Sequence, residues 1–528
     1  MSGGYHGKLL TLFILTLLTI TAQALPKCDR NDEDCRERFM HPDLPNEPPK
    51  DVVNSRAYET EKSNDYWLNQ GKEFIKEKLT AQLNTKRAKN VILFLGDGMG
   101  LTTIAATRNL LGGEEKSLAF EKFPYTGLSK TYAIDKIVSD SACTATAYLC
   151  GIKANEGTIG VNGHVQRDDC LAMQDQDNYV YSIAKWAMDV GKSAGVVTTT
   201  RITHASPAGV YAHTAERDWE NDSELKEDCG SDSTAQDIAY QLIHGEVGSK
   251  LKFVMGGGKK HFIDSSLYEK GERSDGRNLI NDYKQQNAKN LYVETHEQLM
   301  NANLDEAERV FGLYQDSHLL YHLETNETTT QPTLEEMTRK AIEYLSKNDE
   351  GYFIFIEGGR IDLAHHDNMA RIALDEAVEF SKAIDAAREM TSEDDTLIVV
   401  TADHSHAFSY AGYPYRGSDI FSRTVATPDD QKPFLVLSYA NGPSYDTFYD
   451  VEKHERRDPL QVLTGDAHDS FPSTLPLDSE THGGDDVAVY ASGPWSHLFT
   501  GVYEQNAIPH MMGYAACLGE GLKVCDSP

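Results

Sequence analysis

Six short apolar runs, each set apart from the next by helical or polar stretches, constrain this chain more than any other feature. They are Val91-Ile-Leu-Phe-Leu95, Ser193-Ala-Gly-Val-Val-Thr198, Lys252-Phe-Val-Met255, Tyr352-Phe-Ile-Phe-Ile356, Thr396-Leu-Ile-Val-Val-Thr401 and Asp486-Val-Ala-Val-Tyr490. A strand with one wet face alternates apolar and polar residues, whereas a continuous apolar run has both faces covered. Such strands separated by helices predict an α/β fold, a three-layer α/β/α sandwich around a largely parallel mixed sheet. Residues 411–479, rich in Pro, Tyr, Ser and Asp, break the pattern and read as an irregular insertion that crowns the domain.

The chain opens with Lys8, an apolar run over residues 9–20 and Ala22-Gln23-Ala24. That order of charge, apolar stretch and small residues predicts a secretory signal peptide over residues 1–24. The run is shorter than the roughly 20 residues a spanning helix needs. The closing residues, Gly521 to Pro528, do not form the hydrophobic tail of a glycolipid-anchor signal. The expectation is a secreted, extracellular protein with neither a transmembrane segment nor a glycolipid anchor. After the signal, residues 25–85 read as a polar, proline-containing arm followed by a helix around Tyr66 to Leu83.

The 82 Asp and Glu outnumber the 50 Lys and Arg, for a formal net charge of −32 spread along the chain. Such a surface excludes nucleic acid as a partner. A site for an anionic substrate would therefore need its own positive charge, from arginine or from metal ions. The eight cysteines all follow the signal, which favours disulfides in an exported chain. Cys28 with Cys35, Cys170 with Cys229 and Cys517 with Cys525 are plausible pairs, and Cys143 and Cys150, in a small-residue helical run, read as buried thiols. Asn221-Asp-Ser223 and Asn326-Glu-Thr328 are acceptor sequons for glycosylation.

Several of the apolar runs end in polar clusters, and ligands of open α/β sheets bind outside the carboxyl ends of strands. The first run leads into Gly96-Asp97-Gly98-Met99-Gly100, which exposes one carboxylate in a tight turn and lacks the residues of a phosphate-cradling or dinucleotide loop. Alone, Asp97 reads as well as a turn or cap residue. After Ile356 comes Glu357-Gly-Gly-Arg-Ile-Asp362-Leu-Ala-His365-His366, where Asp362 and His366 stand at i and i+4 on a helix and can share one ion. Asp403-His404-Ser-His406 follows Thr401, and Thr481-His482 precedes the last run. Three such Asp/Glu and His clusters at strand boundaries offer ligands for two zinc-like ions and one harder, magnesium-like ion. The nucleophile candidate is Ser141 in Ser139-Asp140-Ser141-Ala142-Cys143, where small residues run into helical sequence. A serine there is usually a helix cap, but a helix N-terminus also favours an anion. No Gly-x-Ser-x-Gly elbow surrounds it, so activation by a metal replaces a serine triad.

Asp97 in its glycine turn, Asp140-Ser141-Ala142, His204-Ala-Ser206-Pro-Ala-Gly, Arg217, the Glu357 to His366 run, Asp403-His404-Ser-His406 and Thr481-His482 occur in the order seen in alkaline phosphatases of the animal type. The chain resembles that family from about residue 90 to 525. The resemblance implies a metal-dependent phosphatase domain over residues 86–528, with the crown at about 411–479. It implies one zinc on Asp362, His366 and His482, and a second on Asp97, Asp403 and His404, with Ser141 joining it. Magnesium would sit on Asp97, Ser206 and Glu357, with His204 nearby through water, and Arg217 would grip two phosphate oxygens. The implied activity is hydrolysis of small-molecule phosphate monoesters through a phosphoserine on Ser141, in a homodimer that buries the crown and the N-terminal arm. Ser139 stands where the family often has proline, a position without assigned chemistry. Gln315 and Gln331 stand where many vertebrate relatives have acidic calcium ligands, which predicts a weak or absent calcium site. A phosphodiesterase or sulfatase, or a non-catalytic binding protein on this fold, would lack part of this set, and no ligand is missing here.

Overall fold

The computed structural model describes residues 32–40, 60–80, 82–425 and 428–526. The signal peptide and Cys28, and with it the pairing of Cys28 with Cys35, lie outside the described residues.

Ten strands build the central sheet: β1 (Asn90–Gly96), β2 (Tyr125–Lys130), β3 (Ser193–Arg201), β4 (Phe253–Gly257), β5 (Asn290–Val293), β6 (Arg309–Leu313), β7 (Tyr352–Gly358), β8 (Thr396–Thr401), β9 (Val487–Ser492) and β10 (Gly501–Glu504). Their order is β10-β2-β9-β8-β1-β7-β3-β4-β6-β5. All neighbouring pairs are parallel except those of β9, which runs antiparallel to both β2 and β8. The six apolar runs are β1, β3, β4, β7, β8 and β9. Short, more polar strands such as β2 and β10 carry no such run and escaped the sequence pattern.

Why the central runs are apolar throughout is visible in β1. Val91, Leu93 and Leu95 point into one core, and Ile92 and Phe94 into another. All five are fully buried, as a sheet sandwiched between two helical layers requires. The 21-residue helix Ala370–Met390 covers the second face, where Phe380 meets Phe94 edge to face at 5.9 Å between ring centroids. A third apolar cluster, including Phe408, Phe421, Leu437, Tyr439 and Phe471, ties part of residues 411–479 to Ala370 and Leu374 of that helix.

Helix Asn64–Thr80 overlaps the span from Tyr66 to Leu83 expected to be helical, starting two residues earlier, and buries none of its residues. Trp67, Leu68, Phe74 and Ile75 are each more than half exposed. Disulfides join Cys170 to Cys229 and Cys517 to Cys525, while Cys143 and Cys150 are buried thiols. Among the described residues no helix is long and apolar enough to cross a membrane.

Candidate active site

Sheet register brings the polar clusters together. Leu95, two residues before Asp97, pairs with Glu357 of β7 on one side and with Thr401 of β8 on the other. Thr198 of β3 pairs with Glu357 in turn. Asp97, Glu357 and Asp403 therefore sit at one height at the carboxyl end of the sheet, all fully buried. The turn after β1 demands glycine. Gly98 has φ +66°, and a Cβ there would lie 2.3 Å from His406 Nε2.

Helix Arg360–His366 carries Asp362 and His366 on one face, with His366 Nε2 3.4 Å from Asp362 Oδ2. His482 Nε2 lies 3.4 Å from Asp362 Oδ1 and 3.2 Å from His366 Nε2. Each histidine turns its other nitrogen to a backbone carbonyl, His366 Nδ1 to Glu480 O at 2.6 Å and His482 Nδ1 to Ser139 O at 2.8 Å. Those bonds place the proton on Nδ1 and leave the Nε2 lone pairs directed at the shared centre. Four ligands around zinc at about 2.0–2.1 Å stand about 3.3 Å apart, so this trio fits the ion.

A second set adjoins it. Asp403 Oδ2 is 3.1 Å from His404 Nε2, which is 3.6 Å from Asp97 Oδ1. Ser141 Oγ completes the set, 3.1 Å from His404 Nε2 and 3.4 Å from Asp97 Oδ1. The spacing again matches a tetrahedral zinc shell.

The third set is richer in oxygen. Asp97 Oδ2 approaches Ser206 Oγ at 3.5 Å, and Asp97, His204 and Glu357 bring ligand atoms within 4.8 Å of one another. Thr198 and Thr200 donate their hydroxyls to Glu357 Oε2. Glu357 Oε1 and His204 Nδ1 are buried with no hydrogen-bond partner. The orphaned oxygen of Glu357, beside the Asp97 carboxylate, suits a hard cation such as magnesium.

Ser141 is the first residue of helix Ser141–Ala145, and the cap is Asp140, which accepts from the amides of Ala142 and Cys143. The hydroxyl of Ser141, freed from capping, faces the second set. Glu216, next to Arg217 in sequence, pairs with Arg167 at 2.5 Å, and Arg217 turns to the site. Its guanidinium donates from Nη1 to Asp140 Oδ2 at 3.1 Å, and its Nη2 meets His204 Nε2 at 3.2 Å. Burial, then the charges of Arg217 and Arg201, push His204 down to about 3, so its ring is neutral and Nε2 accepts.

The electrostatics call for cations. Burial, then the neighbouring Asp403, Asp362 and Glu357, hold Asp97 well above the usual carboxylate range. Burial lifts Glu357 to about 7. Burial would raise Asp362 as well, but His366, His406 and His482 hold it well below the usual range. Bound cations would neutralise these buried carboxylates where protons otherwise must.

The structure gathers all eleven sequence-derived residues at this sheet end: Ser141, Arg217, Asp97, His204, Ser206, Glu357, Asp362, His366, Asp403, His404 and His482. Three supporting residues had no role of their own in the sequence reading, although His406 and Asp140 stand in its motifs. His406 Nε2 bonds Asp362 Oδ1 at 2.8 Å, and its Nδ1 meets Glu480 Oε2 at 2.5 Å. Burial opposes the charge on His406, but Asp362 and Glu480 raise it to about 10. The signal for His406 was its i, i+2 spacing from His404 in an extended segment, whereas Glu480 and Asp140 had none beyond their neighbours. His365 instead bonds Thr103 Oγ1 at 3.0 Å and Tyr439 OH at 2.9 Å, a structural role. Away from the site, Gln315 Nε2 donates to Gln331 Oε1 at 3.0 Å, and the Gln331 amide also bonds the Leu320 backbone. Neutral amides engaged in this way do not fit a tight calcium site.

An α/β sandwich with imidazole and carboxylate clusters around one serine at its strand ends defines a metal-dependent hydrolase. The alkaline phosphatase family profile matches residues 88–518. The membrane-bound alkaline phosphatase of Bombyx mori is 45% identical over 494 residues, covering 89% of this chain and 88% of its own. The human tissue-nonspecific isozyme is 44% identical over 496 residues, covering 90% of this chain and 92% of its own. Among solved structures, the alkaline phosphatase of the Antarctic bacterium TAB5 superposes with a TM-score of 0.56 at 25% identity, covering 83% of this chain and all of that one. The Thermus thermophilus enzyme shares the fold at a TM-score of 0.60 and 21% identity, covering 83% of this chain and 93% of its own. This chain belongs to the alkaline phosphatase family and is a metal-dependent enzyme that hydrolyses phosphate monoesters.

Proposed function

We propose that the chain releases alcohol and inorganic phosphate through a phosphoserine intermediate on Ser141, with two zinc ions and one magnesium ion as cofactors. The observation that carries this reading is the position of Ser141 Oγ, within 3.4 Å of both Asp97 Oδ1 and His404 Nε2 and one residue from the carboxylate that orients Arg217. Asp362, His366 and His482 would hold one zinc, and Asp97, Asp403 and His404 the other. Asp97, Ser206 and Glu357 would hold magnesium, with His204 beside it. Bound there, the ions supply the Lewis acidity that lowers the pKa of a serine hydroxyl and stabilises a leaving oxygen.

Arg217 presents a planar fork to two phosphate oxygens, and Asp140 fixes its direction. Ser141 Oγ gives its proton to water and forms the O–P bond as the ester O–P bond breaks, and the departing oxygen takes a proton from water and leaves as the alcohol. Water then attacks phosphorus, which restores Ser141 and releases phosphate. None of these side chains recognises the alcohol, so the substrate range is broad. The test is hydrolysis of a chromogenic aryl phosphate by the metal-loaded protein, by Ser141→Ala and by the chelated protein. Loss of turnover in both altered forms supports the reading, and an inert metal-loaded wild type refutes it.

Export fits the signal-like residues 1–24 and the disulfides Cys170–Cys229 and Cys517–Cys525, which persist in oxidising compartments. A glycan fits Asn326 rather than Asn221. Asn326 is exposed, and its Oδ1 accepts from Thr328 N at 2.9 Å and Thr328 Oγ1 at 2.6 Å. Asn221 is fully buried, capping a helix with Oδ1 and bonding His261 with Nδ2. The unburied stripe Trp67, Leu68, Phe74 and Ile75 on helix Asn64–Thr80 fits the arm of a homodimer, packed on a second copy. The division into arm (25–85) and phosphatase domain (86–528), with its crown at about 411–479, completes this reading.

A further inference from the structure

Behind the turn that follows Glu357 lies a second cavity, of about 330 Å³, unconnected with the chemistry above. Thr199 and Gly358 form part of its floor, and Thr199 Oγ1 accepts from the amides of Gly359 and Arg360. The walls combine apolar groups, Leu319, Leu320 and Leu334, with the carboxylates Glu376 and Glu379. Glu376 is more than nine-tenths buried, and the Glu379 side chain is 12% exposed. Glu376 Oε1 accepts from His322 N at 2.7 Å, and Oε2 has no hydrogen-bond partner among the described residues. Glu379 Oε1 already holds an ammonium, that of Lys382, at 2.5 Å.

We propose that this cavity binds a small organic cation, a primary ammonium on a short apolar stem, with Glu376 Oε2 as its anchor. An unpaired buried carboxylate is costly and draws either a proton or a cation. Burial lifts Glu376 to about 7, against the opposing pull of the His322 amide and the Arg360 charge. A bare metal ion does not fit. His322 Nδ1 is engaged with Asp375 Oδ2 at 2.7 Å, and among the described residues no three His, Cys, Asp or Glu of this cavity bring ligand atoms within 4.8 Å of one another. A phosphate or carboxylate would be repelled by the lining. The volume stands at the small end of ligand sites and leaves the leucines to cover an alkyl stem. Because the floor carries the segment that positions Glu357, occupancy stiffens that segment from the side opposite the metal sets.

The experiment uses the metal-loaded, full-length protein with n-butylammonium chloride as probe, n-butanol as its neutral counterpart and sodium chloride as ionic-strength control. Calorimetry and thermal unfolding are expected to show saturable binding and a rise in Tm with butylammonium alone. Glu376→Gln is expected to weaken that binding at least tenfold while phosphatase turnover stays within twofold. Leu320→Trp, which fills the cavity mouth and spares the carboxylate, is expected to abolish binding in a folded protein even if Glu376→Gln fails to fold. An equal response to butanol, no saturable response to butylammonium, or binding that survives either folded variant would overturn the proposal.

Discussion

Arg217 Nη1 donates to Asp140 Oδ2 at 3.1 Å, and Asp140 is the residue immediately before Ser141 and the cap of its helix. One carboxylate thus fixes both the proposed phosphate-gripping arginine and the helix that presents the serine. Removing either side of this pair acts on the other.

Arg217→Ala removes a charge-assisted fork worth about 3 kcal/mol. A drop on the order of a hundredfold in kcat/KM for an aryl phosphate is expected. Arg217→Lys keeps the charge without the fork and is expected to recover only part of the loss. Steady-state kinetics with inorganic phosphate as competitive inhibitor measures both effects.

Asp140 gives a pH signature. Burial would raise its pKa, but Arg217 and the amides of Gly157 and Cys143 hold it down to about 2. A carboxylate depressed in the folded state contributes stability that is present above the unfolded value near 4 and is lost as pH falls through about 2. The contribution is about 2 kcal/mol, since the side chain is almost fully buried. Urea unfolding of the metal-free protein between pH 4 and pH 2 is expected to be less steeply pH-dependent in Asp140→Asn than in wild type.

Glu357 gives the opposite sign. Its folded pKa, lifted to about 7 by burial, exceeds that of the unfolded chain. The metal-free protein therefore binds the extra proton when folded, and its stability falls as pH rises from about 5 through about 7. Bound cations remove this penalty, and protons compete with them, so metal affinity is expected to weaken about tenfold per pH unit below 7. Differential scanning at pH 5.5 and 8, with and without chelator, checks this. Chelation is expected to lower Tm more at pH 8 than at pH 5.5.

The sheet was legible because its central strands are buried on both faces, which forces an unbroken apolar run in each. Strands β2 and β10 were not, because Tyr125–Lys130 and Gly501–Glu504 are mixed in polarity and owe their pairing to β9 and to each other rather than to local pattern. Helical spacing sufficed to join Asp362 and His366, which lie four residues apart. Nothing local joined Asp97 to Asp403 or to Ser206, 306 and 109 residues away. Their meeting is a product of strand order, and their grouping from sequence rested on family resemblance. His406 stood in a sequence cluster, but its partner Glu480 did not, because a buried carboxylate that bonds a histidine 74 residues away has no sequence pattern distinct from ordinary polar residues.

The most direct test of the account is acid quenching of the metal-loaded enzyme during turnover of an aryl phosphate, followed by peptide mass spectrometry. One phosphoryl group on the peptide containing Ser141 is expected, localised to that residue, absent after chelation and absent in Ser141→Ala. Phosphate found on another residue, or turnover undiminished in Ser141→Ala, would contradict it.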